Sequence, residues 1–157
     1  MGAAQSSTNT ENDTSSLDQR VKNAKSLDVG PGEHTLSHDT LAYKKIKCGD
    51  NGERCIATLL LPVGTTVIRP TITTCGSDDC TTQISDKMRV DQAMPVSIEC
   101  KTNTVEKLNN CKSCHTNSFV YAVGKLARET LDKSQTEQCT KGIHVFGTKN
   151  EALDYEI

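Results

Sequence analysis

The chain has 157 residues, with 18 Lys and Arg against 20 Asp and Glu, a formal net charge of −2. Aromatic residues make up 3% and Trp is missing, which excludes a base-stacking platform, and the near-neutral balance excludes the basic footprint of a nucleic-acid binder. The length fits one domain, and the 34% of apolar residues is low enough to place part of the chain outside a core.

Residues 2–16 read GAAQSSTNTENDTSS. This polar tract has nothing to bury, so it cannot offset the entropy of ordering itself and is expected to be a disordered tail. The start Met1-Gly2-Ala3-Ala4-Gln5-Ser6 fits the myristoylation pattern, with Gly2 as acceptor and Ser6 in the required place. One acyl chain gives marginal, reversible membrane binding. The tail adds only Arg20, Lys22 and Lys25, offset by acids, so stable anchoring calls for a protein partner or confinement inside an assembly. The N-terminus has no apolar h-region, and a secretory signal peptide is not expected. The longest apolar run, about nine residues over Cys55–Val63, is far short of the roughly 18 that a membrane-spanning helix needs.

Leu17–Val29 can form a short helix with Leu17, Val21 and Ala24 on one face, ended by Gly30-Pro31-Gly32. The expected division is a tail over 1–33 and a domain over 34–157. In the domain, Ala42–Cys48 reads as a strand, and Asn51-Gly52 as a hairpin turn returning through Cys55–Leu61. Thr65–Thr74 is rich in β-branched residues, with Pro70 marking an edge or a kink. Gly76–Asp79 is a turn, and Gln83–Val90 and Pro95–Cys100 are further strands. Thr102–Ser118 reads as a long loop, and Ser118–Ala127 and Gly142–Phe146 as strands. Thr148–Tyr155 reads as a short helix, with Thr148 and Glu151 in capping-box spacing. The fold class is α+β, mostly β: one small domain of antiparallel strands and hairpins with a short C-terminal helix.

The eight cysteines suit either disulfides or metal. Cys48 and Cys55 flank the Asn-Gly turn, and Cys75 and Cys80 flank a second turn, so each pair can meet across a hairpin. Without a secretory signal, reduced thiols are the default, and a virion protein is an exception because particles leave the reducing cell. Cys111, Cys114 and His115 form C-x-x-C-H. Its haem reading requires an export compartment that this N-terminus does not support. Zinc is possible there, since Cys-x-x-Cys supplies half a tetrahedral site, but no second C-x-x-C completes it, and thiols without a ligand are the leading reading. No cofactor is otherwise expected. His34 and His38 are four apart but lie in loop-like sequence. No G-x-S-x-G elbow, P-loop or dinucleotide fingerprint is present.

Three C-terminal segments carry a resemblance: Phe119-Val-Tyr-Ala-Val-Gly-Lys125, Cys139-Thr-Lys-Gly-Ile-His-Val-Phe146 and Glu151-Ala-Leu-Asp-Tyr155. They are similar to an uncharacterised small domain often found alongside pentapeptide repeats in phages and large DNA viruses. The motif falls on Tyr121, Gly124, Lys125, Cys139, Gly142, His144, Phe146, Ala152 and Tyr155. Ala42–Lys45, Ile56–Pro62 and Met88–Ala93 resemble its earlier strands. Val145 departs from the aromatic that the pattern prefers, and the Cys111–His115 loop looks like an addition to it. The resemblance implies no activity. With the Gly2 signal it points to a eukaryotic virus. The expected role is a non-enzymatic structural or accessory protein, with membrane and capsid proteins as partners and no nucleic acid. Its place would be between capsid and internal membrane or on the cytoplasmic face of host membranes. A weaker likeness of Gly142–Phe146 and Tyr155 to the NAD-cradling segment of ADP-ribosyltransferase-like folds gives an enzymatic alternative, for which Glu129 and Glu137 are unsupported catalytic candidates. A zinc-binding interaction module is the third reading.

Overall fold

The computed structural model describes residues 13–49, 52–100, 111–113 and 120–155. Gly2, Cys114, His115 and Phe119 lie outside them. The chain begins with helix α1 (Asp13–Asn23) and strands β1 (Lys25–Ser26), β2 (Gly32–Thr35), β3 (Thr40–Cys48) and β4 (Glu53–Leu61). It continues through β5 (Thr66–Arg69), β6 (Thr71–Cys75), β7 (Cys80–Ile84), β8 (Met88–Val90) and β9 (Gln92–Cys100). The last elements are β10 (Cys111–Ser113), β11 (Val120–Tyr121), β12 (Ala127–Arg128), β13 (Ile143–Val145) and α2 (Lys149–Asp154). The chain is therefore α+β and mostly β, with the expected short C-terminal helix.

The larger sheet runs β11-β10-β3-β4-β9-β12, with β1 added in parallel to β3. The smaller runs β13-β8-β5-β2, and β6 and β7 form a separate hairpin. Strand β3 alternates buried and half-buried residues along its whole length, the period-2 signature of a sheet facing a core. Strand β4 reads ERCIATLLL and is buried at most positions, because both of its faces are covered. One face joins Ala42, Ile46, Leu59 and Leu61 to Val67, Val90, Ile143 and Val145 of the smaller sheet in one core. The other packs Ile56 against Phe146 and Ala152.

The edge of β3 is covered by three separate pieces of chain. Strand β1 pairs with Thr40 and Leu41, Phe146 bridges to Tyr43, and β10 pairs with Ile46–Cys48. The Phe146 bridge, with bonds of 2.8 and 2.9 Å to Tyr43, ties the smaller sheet to the larger. Pro70 separates β5 from β6, as its missing N–H requires. Pro95 sits where the β4–β9 register slips between Thr58 and Leu59, a bulge being the interior position that tolerates proline.

Two expectations are corrected, the bounds of the first helix and one cysteine pairing. Residues before 34 are tied to the sheets: β1 pairs with β3, Leu27 is buried, and Arg20 of α1 makes a 2.7 Å ion pair with Asp39. Leu27 supplies the apolar burial that the polar residues before it lack. Helix α1 also starts and ends before Leu17–Val29, because the chain leaves the helix at Ala24 to add β1 to the sheet.

The second correction concerns Cys48 and Cys55, which do not pair with each other. The β3–β4 hairpin aligns Cys48 with Glu53 and Ile46 with Cys55. Gly52 N–H donates to Gly49 O at 3.2 Å. Cys48 and Cys55 are thereby diagonal neighbours on one face, and each faces a cysteine on its outer neighbour. Cys48 bonds Cys111, and Cys55 bonds Cys100. The expected Cys75–Cys80 disulfide closes the β6–β7 hairpin.

Candidate functional site

Four of the motif residues, Cys139, Gly142, His144 and Tyr155, meet beside Lys87 and Arg89 at the start of β8. Lys87 is buried, and its Nζ donates to Cys139 Sγ at 3.2 Å and to Tyr155 Oη at 3.1 Å, 5.0 Å above the Tyr155 ring. Burial would lower the Lys87 pKa, but its hydrogen bonds to Tyr155 and Cys139 outweigh this and hold it above its ordinary value. Cys139 is exposed and, among the described residues, is the cysteine outside any disulfide. The cation thus joins three distant stretches of sequence: the β7–β8 connection, the 131–142 loop and the end of α2.

Two residues further on, Arg89 is fully buried. Its guanidinium donates to the carbonyls of Asp132 (2.8 Å from Nη2), Ser134 and Glu137. Five donors in a planar fork suit a ring of carbonyl oxygens, so Arg89 is the pin around which the loop folds. Gly142 leaves that loop with φ of +140°, and a Cβ there would lie 2.8 Å from Leu131 Cδ1 and 3.0 Å from Arg89 Cβ. Glycine is required on both counts.

His144 stands at the centre of β13, opposite Arg89 of β8. Its Nε2 lies 2.8 Å from Thr140 O and donates, which leaves Nδ1 without a proton in the neutral ring. Burial, first, and the charges of Lys44, Lys87 and Arg89 bring its pKa down to about 4, against the raising effect of the Thr140 bond. Lys44, also buried, donates to His144 O at 2.9 Å and lies 5.9 Å from the Tyr121 ring centre. Burial of Tyr121, with the nearby Glu129 charge, raises its phenol pKa.

The remaining motif positions serve packing and turns. Phe146 and Tyr155 stack at 5.3 Å, and Ala152 is buried beneath them. Helix α2 carries the expected capping box between Thr148 and Glu151, and Lys45 Nζ caps its far end on Leu153 O and Tyr155 O at 2.7 and 2.8 Å. Gly124, at φ +83°, turns the chain after β11 and donates to Pro95 O at 2.8 Å. Lys125 is exposed and stands apart from this assembly. His34 and His38 do not converge: His34 meets Gly30 O and His38 meets Ser37 Oγ.

Of the C-x-x-C-H segment, Cys111 is among the described residues, and its sulfur is bonded to Cys48. The sulfurs of Cys48, Cys55 and Cys100 lie within 4.8 Å of one another. Sequence reasoning missed Lys87 and Arg89. Lys87-Met88-Arg89-Val90 alternates polar and apolar residues and reads as a strand with one wet face, yet all four are buried. The carbonyls that make this possible come from a loop more than forty residues away, which no local pattern announces.

Among the described residues, no helix is long and apolar enough to cross a membrane. Fold and site together define a small, disulfide-stapled, mostly antiparallel β domain whose buried basic side chains bond to its own backbone and side chains. The chain belongs to a family of unknown function, DUF5758, whose model matches residues 30–152. Comparisons with curated proteins and with solved structures each gave no match.

Proposed function

We propose that this chain is a non-enzymatic structural or accessory protein of a virus. It is held at a membrane by a myristoylated Gly2, between capsid and internal membrane or on the cytoplasmic face of a host membrane. The observation that carries the reading is how the polar side chains around the site are used. Lys44, Lys45, Arg89 and His144 all bond to main-chain carbonyls of this chain, which is the chemistry of a scaffold. The three disulfides suit a protein that leaves the reducing cytosol within a particle. The likeness to a domain that accompanies pentapeptide repeats in phages and large DNA viruses supports the viral origin.

The Gly2→Ala variant tests the membrane role, with the fraction of protein sedimenting with membranes or particles as readout. The variant is expected in the soluble fraction, and an unchanged distribution would overturn the lipid-tail reading. Titration calorimetry with NAD at millimolar concentration tests the enzymatic alternative, and saturable heat would replace the scaffold reading with it.

A further inference from the structure

The face of the larger sheet on which α2 packs carries a row of cations. Along β3, Tyr43, Lys45 and Lys47 alternate with buried residues and share that face. The register sets Lys112 of β10 directly opposite Lys47, and Lys47 directly opposite Arg54 of β4. Like charges in such positions are destabilising. With neighbouring strands about 4.8 Å apart, the three positions span about 10 Å. Among the described residues, neither the Lys47 nor the Lys112 side chain has an ion pair or hydrogen bond. Arg54, which is exposed, has one long bond, from Nη1 to Gly52 O at 3.3 Å. Beside the row lies a groove of about 460 Å³. Lys45, Arg54 and Lys149 line it with one acid, Glu99, next to Ile56, Leu153 and the Cys55–Cys100 disulfide. Leu153 is 49% exposed. Lys149 holds Glu99 at 2.8 Å in an exposed pair, a contact worth little in water. Uncompensated positive charge is thus gathered at one place on a chain whose net charge is −2.

We propose that this face binds the multiply phosphorylated headgroup of a membrane lipid. Lys47, Lys112 and Arg54 supply the charge, and the planar fork of Arg54 suits two phosphate oxygens at once. Lys149 joins them by exchanging Glu99 for phosphate. The anion offsets the repulsion that the opposed cations build into the sheet. Ile56 and Leu153, beside the cations, suit the apolar part of the same molecule, which a soluble phosphate lacks. The inference deepens the membrane reading above: one acyl chain needs a second signal, the polar tail offers none, and the folded domain supplies it. Neither signal alone anchors a chain stably, so the release expected of Gly2→Ala from natural membranes stands.

The test uses the full chain carrying Gly2→Ala, so that no acyl chain contributes. It is sedimented at low salt with vesicles of phosphatidylcholine alone and of phosphatidylcholine enriched in phosphatidylinositol bisphosphate. Binding is expected to be at least tenfold stronger on the second. Adding Lys47→Gln and Arg54→Gln is expected to lower that binding at least tenfold, and Lys125→Gln, apart from this face, to leave it unchanged. The melting temperature of the Lys47, Arg54 variant is expected to equal or exceed that of its parent, because opposed charges are gone. Lysine acetylation with peptide mapping needs no variant at this face: the bisphosphate vesicles are expected to protect Lys47 and Lys112 at least tenfold and to leave Lys125 reactive. Equal binding to the two vesicles, or equal labelling of Lys47 and Lys112 with and without them, would overturn the proposal. Inositol trisphosphate is expected to bind at least tenfold more weakly than the vesicles. Equal or tighter binding would assign the site to a soluble phosphate and overturn the lipid source. Failure here leaves acylation of Gly2 standing, and an unacylated Gly2 leaves this site standing.

Discussion

Arg89 concentrates more of the fold in one side chain than any other residue near the site. Its guanidinium is fully buried and spends its donors on loop carbonyls. Replacing it with methionine fills part of the volume but strands those carbonyls. Arg89→Met is therefore expected to cost about 3–5 kcal/mol, read as a lower urea midpoint. A loss under 1 kcal/mol would show that the carbonyls find water instead. His144 makes a pH prediction. Its pKa falls from 6.5 unfolded to about 4 folded, so the unfolded chain binds more protons between those values. Stability from this group is complete above pH 6.5, falls as pH drops through the window and is exhausted below about 4. The burial-raised Glu129 acts in the opposite sense, and Asp39 and Asp132, both lowered, matter at still lower pH. The difference between the wild type and His144→Gln isolates the histidine. The variant is expected to lose less stability across pH 6.5 to 4, by about 2 kcal/mol. Parallel curves would contradict a buried neutral His144.

At the scale of elements, the strands and α2 were legible because their signals are local. Period-2 burial in β3, the capping residues Thr148 and Glu151, and the Pro70 break all act within a few residues. Ser118–Ala127 was legible only in part. It divides into β11 and β12 because Gly124 turns the chain and bonds Pro95, a partner far away in sequence. Disulfide pairing shows the same division. Cys75–Cys80 follows from one hairpin, whereas Cys48–Cys111 and Cys55–Cys100 depend on strand order, which hydrophobic pattern does not encode. Their sequence separations of 63 and 45, against 5 for Cys75–Cys80, set their energetic weight. Chain-entropy arguments give about 4 kcal/mol for each long loop and about 2 kcal/mol for the short one. Removing Cys55–Cys100 by a double Ser substitution is expected to lower the melting temperature of the metal-free oxidised protein well below that of the Cys75, Cys80 double variant. Equal losses would contradict the pairing.

For the whole molecule, the edge of β3 explains why distant segments depend on one another. The strand next to the N-terminal helix, the C-terminal bridge at Phe146 and the strand of Cys111 each cover a different stretch of the same edge. A long unpaired edge is an aggregation template, so all three pieces protect the domain, and the segment before residue 30 belongs to it physically. Cys139, Gly142, His144 and Tyr155 converge on Lys87 and Arg89, and their visible work is holding sheets, loop and helix together. On the function proposed above, the role rests on where this scaffold is placed, through a myristoylated Gly2. The most direct test is the intact and N-terminal peptide mass of the protein isolated from its natural source. Loss of Met1 with a myristoyl amide on Gly2 is the predicted result. A free or acetylated N-terminus would contradict the membrane-held scaffold.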